Sequence, residues 1–393
     1  MSRNIITGID IGTYQVKVVV SQQGAEGERL PRIIGVGIAE SKGLRHGYIT
    51  NPGEVVKSIK AAIAQAEKTS KMKIRKAFVA VGGIGLGSIT ATGTVIVSRA
   101  DSEITALELK KVHEVCEHEI PPAYAQNRRT IHAIPLQYKI DGKPVLGKPD
   151  NMRGTKLEVK TLYITCMEHH LNDLITAVED AGVEVEDVMA SPIAASLVTL
   201  SKQQKIAGCV LANIGAETVS IAIFENNIPI SLEVFPIGST DITNDIALGL
   251  KVPLDEAEQI KIGSITGTSY PRKKLEEIVL ARLSDIFELI EAHLKKVGRN
   301  GLLPAGIVIT GGGSGIGTIE DFAKAALKLP SKTASIVIGN NPKEHIKDSS
   351  WAVAYGLCIF GFTSEGEGSV NTRSRVVTNT KNKFIDWIKQ FLP

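Results

Sequence analysis

Cysteine is scarce in this chain. Cys116, Cys166, Cys209 and Cys358 lie far apart, and no two form a C-x-x-C pair. That spacing argues against a disulfide framework or a zinc ribbon and suits a reducing cytoplasm. An excess of one charge is missing too: 45 Lys plus Arg stand against 42 Asp plus Glu, a formal net charge of +3. A dedicated nucleic-acid binder normally shows a strong basic excess, so nucleic acid is not an expected partner. The opening segment, MSRNIITGID, has no apolar signal-peptide region, and no secretory leader is expected. Long apolar runs are also lacking. One charge-free stretch of twenty residues, Asn300 to Ile319, holds seven glycines and Pro304; it reads as strand, loop and helix start, not as a membrane span. Two common nucleotide fingerprints are absent. Gly312-x-x-x-x-Gly317 is followed by Thr318 where a P-loop needs lysine, and neither 82–87 nor 311–317 fits G-x-G-x-x-G.

What is present is a globular composition, 43% hydrophobic and 22% charged over 393 residues, long enough for two or three domains. The most informative feature is an internal echo. Ile9-Asp10-Ile11-Gly12-Thr13 is followed by Val16, Val18 and Val20; 203 residues later, Ala212-Asn213-Ile214-Gly215-Ala216 is followed by Val219, Ile221 and Ile223. Each copy predicts a strand, a tight glycine turn and a returning strand. Two copies at that distance predict two similar α/β halves and not a short-period repeat array.

Between the copies the texture changes. Phe78 to Gly82 predicts a buried strand, followed by a β-rich run from Ser88 to Val97, a helix opening near Ser102 and a Pro121-Pro122 break. Leu136 to Ile140 meets the turn pair Asp141-Gly142. A strand over Leu157 to Thr165 leads into a helix beginning near Glu168. Residues 83–162 therefore read as an inserted α+β subdomain. From Arg272 to Val297 the apolar residues keep a helical period; Lys295 and Lys296 suit the helix C-terminus, and Gly298 suits C′. Gly306 to Thr310 reads as a strand entering Gly311-Gly312-Gly313-Ser314.

Gly12-Thr13 and Gly215-Ala216 sit at turns where backbone N–H groups converge and glycine lets an anion approach closely. Asp10, on the strand entering the first turn, is a candidate to hold a magnesium-bound water, and Lys17 a candidate positive charge. Two such turns with a third glycine loop at 311–313 form a phosphate-binding constellation. His113, Cys116 and His118 cluster on one predicted helix but lack a fourth zinc ligand at the usual spacing.

The order of these parts (phosphate turn, insertion, phosphate turn, insertion, triple-glycine loop) resembles the actin-like ATPase superfamily, which includes hexokinases and heat-shock ATPases. Within it the chain resembles, over essentially its whole length, the FtsA family of bacterial cell-division proteins. Gly8 to Thr13 resembles the first phosphate motif. Pro121-Pro122, Ile131 to Pro135 and Leu157 to Val159 resemble the family's own insertion. Pro236-Ile237-Gly238 with Thr243 to Ala247 resembles the opening of the second insertion. Ala257 to Lys261 resembles the adenosine-contacting helix and Ile309 to Gly313 the adenosine loop. Ala194 to Ser196 and Ala352 to Gly356 resemble the small-residue helices that cross between the halves. One departure stands out: the second phosphate motif of the family usually reads D-I-G-G-G-T, but here it is Asn213-Ile214-Gly215-Ala216-Glu217-Thr218. An amide is neither an anionic magnesium partner nor a base, and Glu217 brings a carboxylate to the turn. ATP binding with slow or absent hydrolysis is the expectation.

The resemblance implies an α/β, actin-like duplicated ATPase fold with two inserted subdomains and a C-terminal amphipathic helix. The implied parts are a first core half (1–82, 163–204 and 346–362), the inserted subdomain (83–162), a second core half (205–237 and 301–345), a second-half insertion (238–300), a flexible linker (363–383) and a membrane-targeting helix (384–393). Implied nucleotide contacts are Gly12, Thr13, Tyr14, Lys17, Gly215, Ala216, Glu217, Thr218, Glu258, Lys261, Gly311, Gly312, Gly313 and Ser314. Asp10 and Asn213 would face magnesium through water. Arg282 with Asp285 resembles a stretch linked to binding the C-terminal tail of the tubulin-like protein FtsZ. The implied protein binds ATP and magnesium, polymerises with itself like actin, tethers FtsZ filaments and recruits other division proteins. It would sit in the cytoplasm, peripheral on the inner face of the membrane and in contact with anionic lipids. The last ten residues support this independently. On a helical wheel Phe384, Ile385, Trp387, Ile388, Phe391 and Leu392 fall within an arc of roughly 160°, with Asp386, Lys389 and Gln390 opposite. Two alternatives share the superfamily: an actin-like cytoplasmic protein of type IV pilus assembly, and a small-molecule kinase. The kinase needs a base beside its acceptor hydroxyl, and no sequence signal places one.

Overall fold

The computed structural model describes residues 5–24, 30–98, 100–264, 270–336 and 348–365. The chain opens with β1 (Ile5–Ile11), β2 (Gln15–Gln22) and β3 (Arg32–Glu40), a small hairpin of β4 (Leu44–Arg45) and β5 (Tyr48–Ile49), then α1 (Pro52–Ser70) and β6 (Lys76–Val81). An excursion follows: β7 (Leu86–Ile96), α2 (Ala106–His118), α3 (Pro122–Ala125), β8 (Arg128–Ile140), β9 (Lys143–Val145) and β10 (Lys156–Met167). It returns through α4 (Glu168–Asp180), β11 (Glu184–Ala190) and α5 (Ser191–Thr199). The first sheet has the order β11-β6-β1-β2-β3. β1 pairs antiparallel with β2 and parallel with β6.

The second half repeats this plan. After α6 (Lys202–Ala207) come β12 (Cys209–Ile214), β13 (Val219–Glu225) and β14 (Ile228–Phe235). Three helices follow, α7 (Ser239–Leu250), α8 (Leu254–Lys261) and α9 (Arg272–Lys296), then β15 (Ile307–Thr310), α10 (Ile319–Leu327) and β16 (Ser331–Thr333). This sheet runs β14-β13-β12-β15-β16, again with an antiparallel hairpin pair and parallel neighbours on the other side. Strand for strand it matches the first sheet, which is the duplication that the 203-residue echo predicts.

The last described element, α11 (Ala352–Glu365), joins the halves. Its small residues let backbones meet. A Cβ on Gly356 would stand 1.9 Å from the Ala194 carbonyl oxygen of α5, and one on Gly8 2.2 Å from that of Ala354. Gly356→Val is therefore expected to force α5 and α11 apart and cost about 3 kcal/mol or more. Chemical denaturation checks this; an unchanged midpoint would mean that the crossing relaxes freely.

The inserted subdomain forms its own sheet, β7-β10-β8-β9, with α2 packed on it over a separate apolar core. Its helix begins at Ala106, later than the expected start near Ser102. Thr105 is the N-cap, and its backbone N–H donates to Glu108, closing a capping box. Strand β8 is longer than expected, because register shifts in its ladder with β10 accommodate Pro135. α11 continues through Glu365, so residues 363–365, expected as linker, are helical. The rest of that linker and the 384–393 helix lie outside the described residues. His113, half-buried, lies with Nε2 2.8 Å from Tyr138 Oη, and Cys116 is buried in this subdomain's core. Among the described residues no helix is long and apolar enough to cross a membrane.

Candidate functional site: a cleft between two equivalent turns

The two glycine turns are built alike. Gly12 N–H donates to the Gln15 carbonyl at 3.1 Å, and Gly215 N–H to the Thr218 carbonyl at 2.9 Å. A Cβ on either glycine would stand 3.0 Å from the same carbonyl oxygen. The strand ladders stop at Ile11↔Val16 and Ile214↔Val219, leaving Thr13–Tyr14 and Ala216–Glu217 at the apices. Both turns open into one cleft of about 690 Å³.

Of the residues picked from the sequence, Asp10, Gly12, Thr13, Tyr14 and Lys17 line this cleft from the first half. Asn213, Gly215, Ala216 and Thr218 line it from the second, with Glu258 and Lys261 from α8 and Gly311 and Gly312 from the third loop. Gly313 and Ser314 sit behind. Gly313 packs on Ile214, and Ser314 Oγ donates to the Gly311 carbonyl at 2.7 Å and meets Ser349 Oγ at 2.9 Å. Gly311 has φ +91°, and a Cβ there would strike Asn213 Oδ1 at 2.3 Å, so this loop requires glycine against the second strand.

Charge is unequal between the halves. In β1 and β2, Asp10 is opposite Lys17; in β12 and β13 the matching positions hold Asn213 and Ser220. Asp10 keeps part of its surface open to the cleft, and burial pushes its carboxyl up to about 6 despite the opposing pull of Lys17. Burial lowers the Lys17 ammonium, while Asp10 and Asp348 act in the opposite sense. Lys17 Nζ donates to the Ser350 carbonyl at 3.2 Å, and Thr310 Oγ1 to that of Ser349 at 3.0 Å. The 348–350 turn thus ties the first half's lysine to the second half's glycine loop.

On the far wall, Lys261 and Glu258 form a 2.7 Å ion pair. Thr243 completes it by donating to Glu258 at 2.6 Å and accepting from Lys261 at 2.8 Å. Helix α7 holds the second turn from behind. Ser239 N–H donates to the Gly215 carbonyl at 2.9 Å and Thr240 N–H to that of Ala216 at 2.8 Å.

Glu217 behaves differently from its neighbours. Its carboxylate accepts from the backbone N–H of His46, and its carbonyl lies 3.2 Å from His46 Nδ1. His46, at φ +49°, belongs to the β4–β5 hairpin of the first half. The carboxylate therefore bridges the halves at the cleft's edge. Glu217→Ala is expected to leave that amide without its acceptor, at a cost of about 1–2 kcal/mol, and to speed amide hydrogen exchange across residues 43–49. Unchanged exchange there would remove Glu217 as a bridge.

Several cleft residues escaped the sequence reading. Ser239 and Thr240 carried a signal, a helix start directly after Pro236-Ile237-Gly238. Ser191, Gly83, His170 and the 348–350 turn carried none, because each reaches the cleft only through packing. His170 Nε2 lies 3.1 Å from the Gly82 carbonyl, and its ring is 4.8 Å from that of Tyr48.

Arg282 and Asp285 lie away from the cleft, on α9. Arg282 makes a forked ion pair with Asp245 of α7 (2.7 and 3.1 Å) and a third contact with Asp285 at 3.1 Å. Its pKa is raised, chiefly by the Asp245 hydrogen bonds. The guanidinium thus fastens α7 to α9 while staying partly exposed.

Two five-stranded sheets of identical order, joined by crossing helices around a cleft with matched turns, define an actin-like ATPase fold. Solved structures agree. The chain superimposes on the PilM–PilN type IV pilus biogenesis complex with TM-score 0.66 at 17% identity, covering 91% of this chain and 98% of that one. It also superimposes on MreB5 of Spiroplasma citri bound to ADP with TM-score 0.53 at 15% identity, covering 93% and 99%. A family model described as "Cell division protein FtsA" matches residues 210–356, and one described as "SHS2 domain inserted in FTSA" matches residues 83–165. The cell division protein FtsA of Bacillus subtilis is 31% identical over 381 residues, covering 91% of this chain and 84% of that protein. That of Pseudomonas aeruginosa is 28% identical over 388 residues, covering 93% and 91%. The chain belongs to the FtsA family of cell division proteins.

Proposed function

We propose that this division protein binds ATP with magnesium in the cleft, hydrolyses it slowly or not at all, polymerises like actin, and tethers FtsZ filaments to the inner face of the cytoplasmic membrane, where it recruits other division proteins. Family membership favours this reading over the pilus and kinase alternatives. The observation that carries the nucleotide part is the cleft itself: two equivalent glycine turns face one space, with a lysine and a single carboxylate, Asp10, on the strands that enter them. That donor set suits a polyphosphate and one hydrated divalent cation. The position of the second half that matches Asp10 is an amide, Asn213, which is no base at neutral pH and supports slow turnover. The parts expected from sequence keep their assignments here: core halves, inserted subdomain, the α7–α9 insertion for the FtsZ tail, and 384–393 for the membrane.

The test is co-sedimentation of the full chain and FtsZ with vesicles containing anionic lipid, with and without ATP. FtsZ is expected in the pellet only when this protein is present. FtsZ remaining in the supernatant in its presence would overturn the tether.

Arg282→Ala is expected to weaken the FtsZ-tail peptide about tenfold or more, since charge-assisted contacts are lost. It should also loosen α7 from α9 by about 1–2 kcal/mol. Peptide titration beside a denaturation curve separates the two effects. Unchanged affinity would remove Arg282 from the site.

A further inference from the structure

Opposite the cleft, α1 ends and β6 begins in the run Lys68-Thr-Ser-Lys-Met-Lys-Ile-Arg-Lys76. Lys68, Lys71, Lys73, Arg75 and Lys76 are all exposed, Met72 is 43% exposed between them, and only Ile74 turns into the core. Lys73 pairs with Glu67 at 3.0 Å and Lys76 with Glu184 at 3.4 Å. Lys68, Lys71 and Arg75 make no ion pair among the described residues. Among the described residues, Glu179 and Asp180 at the close of α4 and Glu186 on β11 lie on the β11 side of the sheet. An exposed cationic loop carrying a methionine at its centre fits no role in the fold or the cleft.

Its position relative to the tail gives it a meaning. Helix α11 runs antiparallel to β1: Ala354 lies against Gly8, and Gly361 against Ile6 and Phe78. The Phe360 ring meets that of Phe78 edge-on at 5.7 Å, two residues from Lys76. Helix α11 therefore descends to the end of the sheet where the cationic loop lies, and Glu365, the last described residue, is at that end. The glycine turns lie at the opposite end of β1, about 20 Å away for a seven-residue strand.

We propose that loop 68–76 is a second membrane contact, laid on an anionic lipid surface while the tail anchors the chain. This rests on the reading of 384–393 as the membrane helix. If residues 366–383 form the linker read from the sequence, 18 residues of random chain have a root-mean-square span of roughly 24 Å, so an anchored tail would hold this end of the molecule close to the bilayer. Each cation near an anionic leaflet then adds to binding, an effect confined to about 8 Å at physiological salt. Met72 supplies apolar surface at the headgroups. The contact fixes orientation: the cleft and the glycine turns point away from the lipid, toward nucleotide and partners.

The experiment uses the full chain with vesicles of phosphatidylcholine alone or with about one-third phosphatidylglycerol. Combined Lys68→Gln, Lys71→Gln and Arg75→Gln is expected to lower partitioning to the anionic vesicles about tenfold and leave the neutral vesicles unaffected. A control with the same charge change on the inserted subdomain, Lys110→Gln, Lys111→Gln and Lys160→Gln, is expected to bind like the parent. Equal losses in both variants, or no loss in the first, would overturn the proposal. Full binding by a chain truncated before Phe384 would overturn the tail reading instead. A second readout is Met72→Cys carrying an environment-sensitive dye, selective because the four native cysteines are buried. A blue shift on anionic vesicles is expected, and an unshifted spectrum overturns the contact.

Discussion

Asp10→Asn is expected to lower magnesium–ATP affinity roughly 10–100-fold, the range seen when a group orienting a metal's ligands is lost. The same change is expected to stabilise the ligand-free protein. The folded carboxyl titrates near 6, above its ordinary value of 3.8. Between those values the folded state binds more protons than the unfolded one, so ligand-free stability falls as pH rises from 4 through 6. Above pH 6 the ionised, desolvated carboxylate is a cost that a cation at the turn would offset. Asparagine removes that cost, a gain on the order of 1–2 kcal/mol after allowing for solvent at the cleft. Nucleotide affinity of the parent should hold above pH 6 and fall below it, and the variant should lack that step. Calorimetric titrations at several pH values check this; a parent and variant with the same profile would exclude Asp10 from the cation's surroundings.

Trp387→Glu is expected to release the protein from vesicles, and truncation before Phe384 to do so completely. A ten-residue amphipathic segment buries little apolar area, so one copy binds weakly and reversibly. A charge in its apolar arc leaves too little to hold. The loss should be largest under polymerising conditions, because the proposed filament would align many tails and turn weak contacts into firm attachment. Vesicle sedimentation with and without ATP, beside circular dichroism to show an intact fold, measures it. Binding unchanged in the truncated chain would place the tether elsewhere.

The hairpin turns were legible because a glycine turn with flanking apolar residues is a local event: Gly12 and Gly215 each bond a carbonyl three residues on. Helix α4 begins at Glu168, where the sequence places it, because the ordering of strand and amphipathic period is also local. The alternation in β2 was less reliable. Val16, Val18 and Val20 are buried as expected, but so are Lys17 and Val19. Helices cover both faces of that sheet, and a two-sided strand erases the contrast on which alternation depends. Lys17 consequently lines the cleft, although by sequence alone a strand lysine is most simply a solvated one.

Sequence was sufficient for the duplication, for the family, and for the two turns and third loop that make the cleft, since each is a contiguous motif whose physics operates over a few residues. The juxtapositions came only with tertiary structure. Glu217 stands in the second turn, yet its carboxylate serves His46 of the first half, 171 residues earlier. Arg282 reads as a partner-binding cation, yet Asp245 already holds it between two helices. Ser350 reaches Lys17 across 333 residues. The cationic loop 68–76 gains its meaning from the direction in which α11 leaves the sheet. Long-range pairs of this kind carry no local periodicity; the folding of two halves around one cleft decides them.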